Sequence, residues 1–242
     1  GEVVLKEEHL QCGKKVRDVT FEVHKGEILG FAGIVGAGRT ETLRCLFGLD
    51  HAEQGSVSMG GKEVSIRQPR DAIKNGIAMV TENRKEDGLV LCRSIMENTV
   101  LPSTYMNAKN GILQKRAESD IATEMCRKLR VKTPSYEKIV NQLSGGNQQK
   151  VALAKCLDIH PEVFIFDEPP RGVDICARSD IYTFISELAQ SGVACLLISS
   201  DLEEIIGMCD RVLVMRSGEL AGCVERERVT EEEIMYLATG GQ

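Results

Sequence analysis

Residues 28–40 read Ile-Leu-Gly-Phe-Ala-Gly-Ile-Val-Gly-Ala-Gly-Arg-Thr, and this stretch decides the fold. It begins with an apolar run that suits a buried strand and continues into a glycine-rich turn. Beyond the turn, Leu43, Leu46 and Phe47 recur at the spacing of one helix face. A glycine turn between a strand and a helix lets backbone N–H groups face inward beside the positive end of the helix dipole. The stretch therefore predicts an anion-binding turn in an α/β protein.

The turn fits the P-loop consensus G-x-x-x-x-G-K-[ST], except that Arg39 stands in the lysine position. Arginine keeps the positive charge but replaces a compact ammonium with a wide planar fork, so we expect a changed geometry at the terminal phosphates. The Thr40 hydroxyl is expected to bind Mg²⁺. The predicted phosphate-binding residues are Gly33, Gly36, Ala37, Gly38, Arg39 and Thr40. On this segment alone, an ordinary strand-to-helix loop remains the alternative.

Short apolar runs alternate with helical patterns along the rest of the chain. The runs are residues 28–32, 77–80, 163–166, 194–198 and 211–215. Continuous apolar runs suit strands that are buried on both faces, so they predict an α/β fold with a mostly parallel core sheet. Residues 16–25 and 55–66 are strand-like without an intervening helix, which predicts an antiparallel β-layer joined to that sheet.

A helical segment is predicted from Ser94 to Lys132, opening with the capping box Ser94-x-x-Glu97. Within it, apolar residues recur every four positions and predict the buried face of an amphipathic helix with a basic back. These residues are Leu113, Ala117, Ile121, Met125 and Leu129.

The composition argues against nucleic-acid binding and against a membrane span. The 242 residues include 30 Lys and Arg against 36 Asp and Glu, a net charge of −6, with only 4% aromatic residues. The longest apolar stretch, residues 193–198, is far shorter than the roughly 20 residues that a spanning helix needs. The 9 cysteines contain no CxxC pair, so we expect reduced thiols that fill core space rather than a metal site.

An acidic pair follows the apolar run at 163–166. Asp167 and Glu168 come at the carboxyl end of this predicted strand, where α/β sheets place their ligand sites. We expect Asp167 to enter the Mg²⁺ shell and Glu168 to polarise an attacking water, the division of labour that phosphoryl transfer needs. A surface acidic pair before a proline turn is the alternative for these residues alone.

A second glycine turn lies between these two sites, in residues 142–150, Gln-Leu-Ser-Gly-Gly-Asn-Gln-Gln-Lys. With the P-loop before it and the acidic strand after it, the chain resembles the ATP-binding cassette (ABC) family, whose signature is Leu-Ser-Gly-Gly. The resemblance implies a P-loop NTPase fold with ATP and Mg²⁺ as cofactors. It also implies one cassette over residues 1–242, with a core at 1–90 and 139–242 and a helical subdomain at about 91–138. The signature residues expected to contact nucleotide are Ser144, Gly145, Gly146 and Gln148.

Residues 81–89 and 167–174 are similar to those of the ATPases of monosaccharide importers, in which one polypeptide carries two cassettes. An arginine in the P-loop is typical of the second cassette there, so the chain is expected to be the C-terminal part of a longer protein. The implied partners are a second cassette, transmembrane permease subunits and, indirectly, a solute-binding protein. The implied location is peripheral, on the cytoplasmic side of the cell membrane.

Two further positions depart from the family pattern. Glu82 stands where a glutamine usually contacts Mg²⁺ and is itself expected to serve as an oxygen ligand. Ser200 takes the catalytic position of the expected switch histidine, in residues 198–201. Together with Arg39, these departures predict a degenerate site of the chain's own. The intact signature predicts that the chain's main catalytic contribution is made in trans, at the ATP site of the partner cassette.

Two other functions compete with this interpretation. A soluble cassette acting on ribosomes or DNA needs a basic linker or a coiled-coil insertion, and the segment between Glu82 and Ser144 is too short for one. A nucleotide-binding regulatory cassette that does not hydrolyse ATP is favoured by Arg39 and Ser200 and stays open.

Overall fold

The computed structural model describes residues 1–104, 108, 112 and 114–241. The strands are β1 Val3–Cys12, β2 Val16–His24, β3 Ile28–Ala32, β4 Gln54–Met59, β5 Lys62–Val64, β6 Ile77–Val80, β7 Val163–Asp167, β8 Ala194–Ile198, β9 Arg211–Arg216 and β10 Glu219–Glu225. The α-helices of the described residues are α1 Arg39–Leu46, α2 Pro69–Lys74, α3 Ile95–Thr99, α4 Lys115–Lys128, α5 Gly145–Leu157, α6 Ile175–Gln190, α7 Leu202–Met208 and α8 Glu231–Thr239. All five apolar runs are confirmed as strands.

The strands form one sheet in the order β5-β4-β1-β2-β10-β9-β3-β8-β7-β6. In its core, β3 pairs in parallel with β8 and β9, and β7 pairs in parallel with β8. Strands β1, β2, β4 and β5 pair antiparallel, as expected for a β-layer built from the strand-like residues 16–25 and 55–66. The fold is therefore the expected α/β arrangement of a parallel core joined to an antiparallel β-layer.

The chain divides into two compact units. The first comprises Gly1–Met79, Glu162–Glu168 and Ile185–Gln242. Its core contains Phe31, which packs edge-on against Phe21, and strand β7, whose five residues are all buried. Because β7 is covered on both faces, its first four residues are all apolar. The polar side chains begin at its last residue, Asp167.

The second unit comprises Val80–Pro161 and Pro169–Phe184. Helices α3, α4 and α5 contact one another within it, and each buries apolar side chains such as Ile95, Met125 and Leu153. The capping box at the start of α3 is confirmed, since the Ser94 hydroxyl accepts from the Glu97 amide and the Glu97 carboxylate accepts from the Ser94 amide.

The predicted buried face of α4 is only partly right. Met125 and Leu129 are buried, but Ala117 is exposed, and Ala122 and Cys126 are buried instead. A strict period of four drifts around a helix of 3.6 residues per turn, so the buried face shifts along α4. The first residue of the predicted series, Leu113, lies outside the described residues, as do 105–107 and 109–111 of the helical segment.

No helix in the described part of the chain is both long and apolar enough to cross a bilayer. All nine cysteines carry free thiols. Five of them are buried and fill core space as expected, whereas Cys12 is half-buried and Cys92, Cys176 and Cys223 are exposed, so the expectation is wrong for these four.

Candidate functional site

The glycine turn begins where β3 ends and closes onto the start of α1. Gly33, Gly36 and Gly38 have φ angles of 149°, 81° and 102°, a region that side chains disfavour. A Cβ at Gly33 would collide with the Met215 carbonyl, so that position has no room for a side chain. A Cβ at Gly36 would meet nothing within 4 Å, because the turn opens to solvent there. The turn thus presents its backbone, and the first-turn N–H groups of α1, to an open cradle.

Three parallel strands bring the predicted catalytic segments to one sheet edge. Ile198, the last residue of β8, pairs with Phe31 on one side and with Asp167 on the other. The residues that follow β3, β7 and β8 therefore emerge together at the carboxyl edge, where open α/β sheets bind ligands.

Thr40 and Asp167 are in direct contact at this edge. The Thr40 hydroxyl donates to Asp167 Oδ1 over 3.2 Å, and Asp167 is only 2% exposed. Burial raises the pKa of Asp167 from 3.8 to about 6, while the Thr40 hydrogen bond opposes that rise. The pair provides adjacent hard oxygen ligands of the kind that Mg²⁺ prefers.

Glu168 lies beside this pair with a strained backbone. Its φ of 49° is in the left-handed region, and its amide donates to the Ile198 carbonyl over 3.0 Å. The Ser200 hydroxyl donates to Glu168 Oε2 over 3.1 Å. Burial raises the pKa of Glu168 and the Ser200 hydroxyl opposes the rise. The two residues predicted as catalytic are therefore in contact with each other.

Arg39 is directed toward the loop after β8. Its Nη1 donates to the Ser199 carbonyl over 2.9 Å. Ser199 is fixed from its other side, because its hydroxyl donates to Glu204 Oε2 over 2.6 Å and accepts from the Asp201 amide. The side chain in the P-loop lysine position is thus engaged by protein backbone.

The signature turn lies in the second unit and starts α5. Ser144 is its N-cap residue and is exposed, Gly145 is partly exposed and Gly146 is buried. The Ser144 hydroxyl accepts from Asn147 Nδ2 over 3.1 Å, and no cap hydrogen bond joins the Ser144 side chain to the described backbone of α5. The first-turn amides of α5 therefore face a surface position at the positive end of the helix dipole.

The Gln148 side chain is hydrogen-bonded to the loop that precedes the signature turn. It is 4% exposed, and its Nε2 donates to the carbonyls of Val140 and Leu143 over 3.4 and 3.3 Å. A buried amide that is bonded to the adjacent loop favours a supporting role, so nucleotide contact by Gln148 stays a prediction.

The segment after β6 contains a residue that the sequence analysis missed. Glu82 forms an ion pair with Arg171, and Arg84 is buried and donates to the carbonyls of Arg171 and Gly172 over 2.7 and 3.2 Å. A single arginine in a charged run has no sequence signal that distinguishes it from its exposed neighbours. Magnesium binding by Glu82 stays a prediction. In the described part of the chain, the Glu82 carboxylate forms an ion pair with Arg171.

The donors of the first unit fit a magnesium nucleotide. The glycine cradle suits a phosphate chain, and the Thr40–Asp167 pair suits the metal. Within the described residues, no group of three or more His, Cys, Asp or Glu side chains could hold a metal ion. Mg²⁺ is usually held by one or two carboxylates together with substrate phosphates, and Asp167 provides one such carboxylate beside the glycine cradle.

Comparison with known proteins gives concordant matches. The ABC transporter family profile matches residues 16–171. The ribose import ATP-binding protein RbsA of Lactococcus lactis subsp. lactis (strain IL1403) is 47% identical over 241 residues, covering 100% of this chain and 49% of that protein. A putative ribose/galactose/methyl galactoside import ATP-binding protein of Pseudomonas syringae pv. syringae (strain B728a) is 45% identical, covering 99% of this chain and 46% of that protein.

A solved structure shares the fold. The crystal structure of the ADP conformation of MJ1267, an ATP-binding cassette of an ABC transporter, superposes with a TM-score of 0.80 at 19% identity, covering 99% of this chain and 100% of that one. The chain spans about half the length of the curated relatives that it matches.

Proposed function

The chain belongs to the ABC transporter family as an ATP-binding cassette, and from this we propose that it binds ATP with Mg²⁺ and helps to energise the import of ribose or a related monosaccharide. It contributes chiefly by completing the ATP site of a partner cassette. The observation that carries this proposal is the exposed Ser144 at the start of α5, within an unaltered Leu-Ser-Gly-Gly sequence.

At the chain's own ATP site, in the first unit, we propose a separate role for each group of residues. The backbone of residues 33–40 binds the phosphates, and Thr40 and Asp167 hold Mg²⁺, which neutralises phosphate charge when bound. Glu168 accepts a proton from the attacking water at its carboxylate, and the Ser200 hydroxyl orients that carboxylate. Glu82 is proposed as a further magnesium ligand.

This first site is proposed to be degenerate. Arg39 donates a hydrogen bond to the Ser199 carbonyl. The Ser200 hydroxyl cannot carry a positive charge and offers no imidazole nitrogen, as a histidine at this position would. Loss of one positioned catalytic group lowers the rate by about a hundred- to ten-thousand-fold. We therefore expect weak turnover from the chain by itself.

The relatives support a proposal for the wider assembly. Their names describe sugar import, and the chain matches about half of their length. We propose that it is one cassette, with a helical subdomain at about 91–138, in the C-terminal half of a two-cassette protein. Its partners are the other cassette, transmembrane permease subunits and, indirectly, a solute-binding protein, and it acts peripherally on the cytoplasmic side of the membrane.

The decisive test is Ser144→Arg in the full-length protein assembled with its permease. An arginine at the N-cap places a bulky side chain in front of the first-turn amides, so uptake of labelled ribose should fall by at least tenfold. The matched control is Ser65→Arg at another exposed serine, which should leave uptake unchanged. Near-normal uptake by Ser144→Arg would refute the trans contribution.

A non-hydrolysing regulatory cassette is the second candidate, and the Arg39–Ser199 hydrogen bond favours it. ATP binding and turnover should be measured for the chain alone and after addition of a consensus cassette with its catalytic glutamate intact. Turnover that rises above that of the added cassette alone supports the energising function. Binding without any such rise supports the regulatory one.

A further inference from the structure

Arg84 is a buried cation that joins two loops of the second unit. It begins a short π-helical turn, Arg84–Gly88, and is only 9% exposed. Its Nη1 donates to the Arg171 carbonyl over 2.7 Å and its Nη2 donates to the Gly172 carbonyl over 3.2 Å. Burying a guanidinium is costly unless its donors are satisfied. These two bonds satisfy the terminal nitrogens, whereas Arg84 Nε is buried with no hydrogen-bond partner among the described residues, so the two carbonyls define where Arg84 can lie.

The same guanidinium lies against the signature turn. A Cβ added at Gly145 would stand 3.0 Å from Arg84 Nη2 and 3.1 Å from the Gly172 carbonyl oxygen. A Cβ at Gly146 would stand 2.8 Å from the Cβ of Ala177. The two signature glycines therefore pack directly onto Arg84 and the segment that follows Pro170.

The loop that carries Arg84 is fastened at both ends. Glu82 pairs with Arg171 on one side, and Lys155 Nζ of α5 donates to the Gly88 carbonyl over 2.9 Å on the other. The Asn83 side chain accepts from the Lys85 amide and fixes the start of the π-helical turn. Arg84 consequently has little freedom to leave its two carbonyl partners.

We propose that Arg84 is a positioning residue for the signature turn: its planar fork holds the Arg171–Gly172 backbone so close that a Cβ at position 145 would press on the fork, and so fixes the direction of the first amides of α5. Arginine is required because its fork reaches two carbonyls at once, whereas a lysine ammonium is a point donor on a flexible stem. The expected loss of catalysis rests on the proposed function, in which the signature turn completes the ATP site of the partner cassette.

The first measurement is hydrogen exchange of the 242-residue chain without nucleotide. In Arg84→Lys and Arg84→Gln, both contacting segments should lose protection: the Gln148 and Val173 amides, which donate to the Ser144 and Pro170 carbonyls, should exchange at least tenfold faster. Amides in the rest of α5, residues 151–157, should keep their protection, which shows that the variants fold. Arg127→Lys, at an exposed arginine of α4, is the matched control and should change neither segment. Unchanged exchange in both Arg84 variants would overturn the proposal.

The second measurement is the turnover of a consensus cassette completed by this chain. With Arg84→Lys, kcat should fall about tenfold while KM for ATP stays within twofold, because the turn is misdirected rather than lost. Faster exchange with unchanged kcat would support the positioning of the turn and overturn its proposed use in trans. Gly145→Ala gives an independent check, because the added methyl group would press on the same guanidinium. Its effect on hydrogen exchange should not add to that of Arg84→Lys in the double variant.

Discussion

The Arg39 guanidinium donates a hydrogen bond to the backbone carbonyl of Ser199 over 2.9 Å. This contact joins the start of α1 to the loop after β8, and it uses the side chain that stands where the P-loop consensus has lysine. Because Ser199 is also bound by Glu204 and by the Asp201 amide, the contact is made to a fixed carbonyl. We therefore expect nucleotide binding at the proposed site to depend on whether Arg39 keeps or releases that partner.

Arg39→Lys should strengthen ATP binding by the chain about tenfold, close to 1.4 kcal/mol. A compact ammonium on a flexible stem reaches the phosphates without the steric demand of the planar fork. Titration with a fluorescent ATP analogue measures the Kd. Arg39→Ala is the control and should bind more weakly than either, because it removes the charge. Equal Kd values for the lysine and alanine variants would contradict this account.

Ser200→His in the Arg39→Lys background should raise ATP turnover of the chain by at least tenfold over Arg39→Lys alone. The side chain at position 200 already contacts Glu168, so an imidazole there is placed to act at the reacting phosphate. A steady-state phosphate-release assay measures kcat. Adding Glu168→Gln to the same variant should abolish the gain, and a gain that survives this change would assign the turnover to other residues.

Magnesium-dependent ATP binding should weaken below about pH 6. Burial raises the pKa of Asp167 to about 6, so the carboxylate is increasingly protonated as the pH falls past that value. A protonated ligand must lose its proton before it binds the metal, which lowers the Mg²⁺ affinity by up to about tenfold per pH unit. Titrations with Mg²⁺ between pH 5 and pH 8 test this. Asp167→Asn should give a weak affinity that varies little over the range.

Glu7 should make the free energy of unfolding fall with rising pH. Its side chain is fully buried, both carboxylate oxygens lack a hydrogen-bond partner among the described residues, and burial raises its pKa from 4.5 to about 8. Between those two values the folded state binds the extra proton, so stability is lost as the pH rises, by at most about 1.4 kcal/mol per pH unit.

Urea unfolding of the wild-type chain and of Glu7→Gln at pH 5, 6.5 and 8 isolates this contribution. The variant keeps the shape of the side chain but has no proton to lose, so its advantage over the wild-type chain should grow with pH. Parallel curves for the two proteins would show that Glu7 finds a partner in solution.

Several elements could be predicted from short windows of sequence. The apolar runs at 28–32 and 163–166 become β3 and β7, and the Ser94 capping box opens α3. These features depend on backbone propensity and on partners within a few residues, so a single sequence contains the information. The period-four pattern of α4 wrongly predicted that Ala117 is buried. Which face of a helix is buried depends on what packs against it, and the spacing of apolar residues does not contain that information.

The sequence by itself determined the family, the order of the two glycine turns and the acidic strand end that follows them, because each is a local pattern of residue types. Only the tertiary structure decided that Arg39 binds the Ser199 carbonyl, that Arg84 lies against Gly145, and that Glu7 is buried with no hydrogen-bond partner for its carboxylate among the described residues. These contacts join segments far apart in the chain, or depend on which side chains cover a residue. Their geometry follows from strand order and packing, which no local spacing of residues encodes.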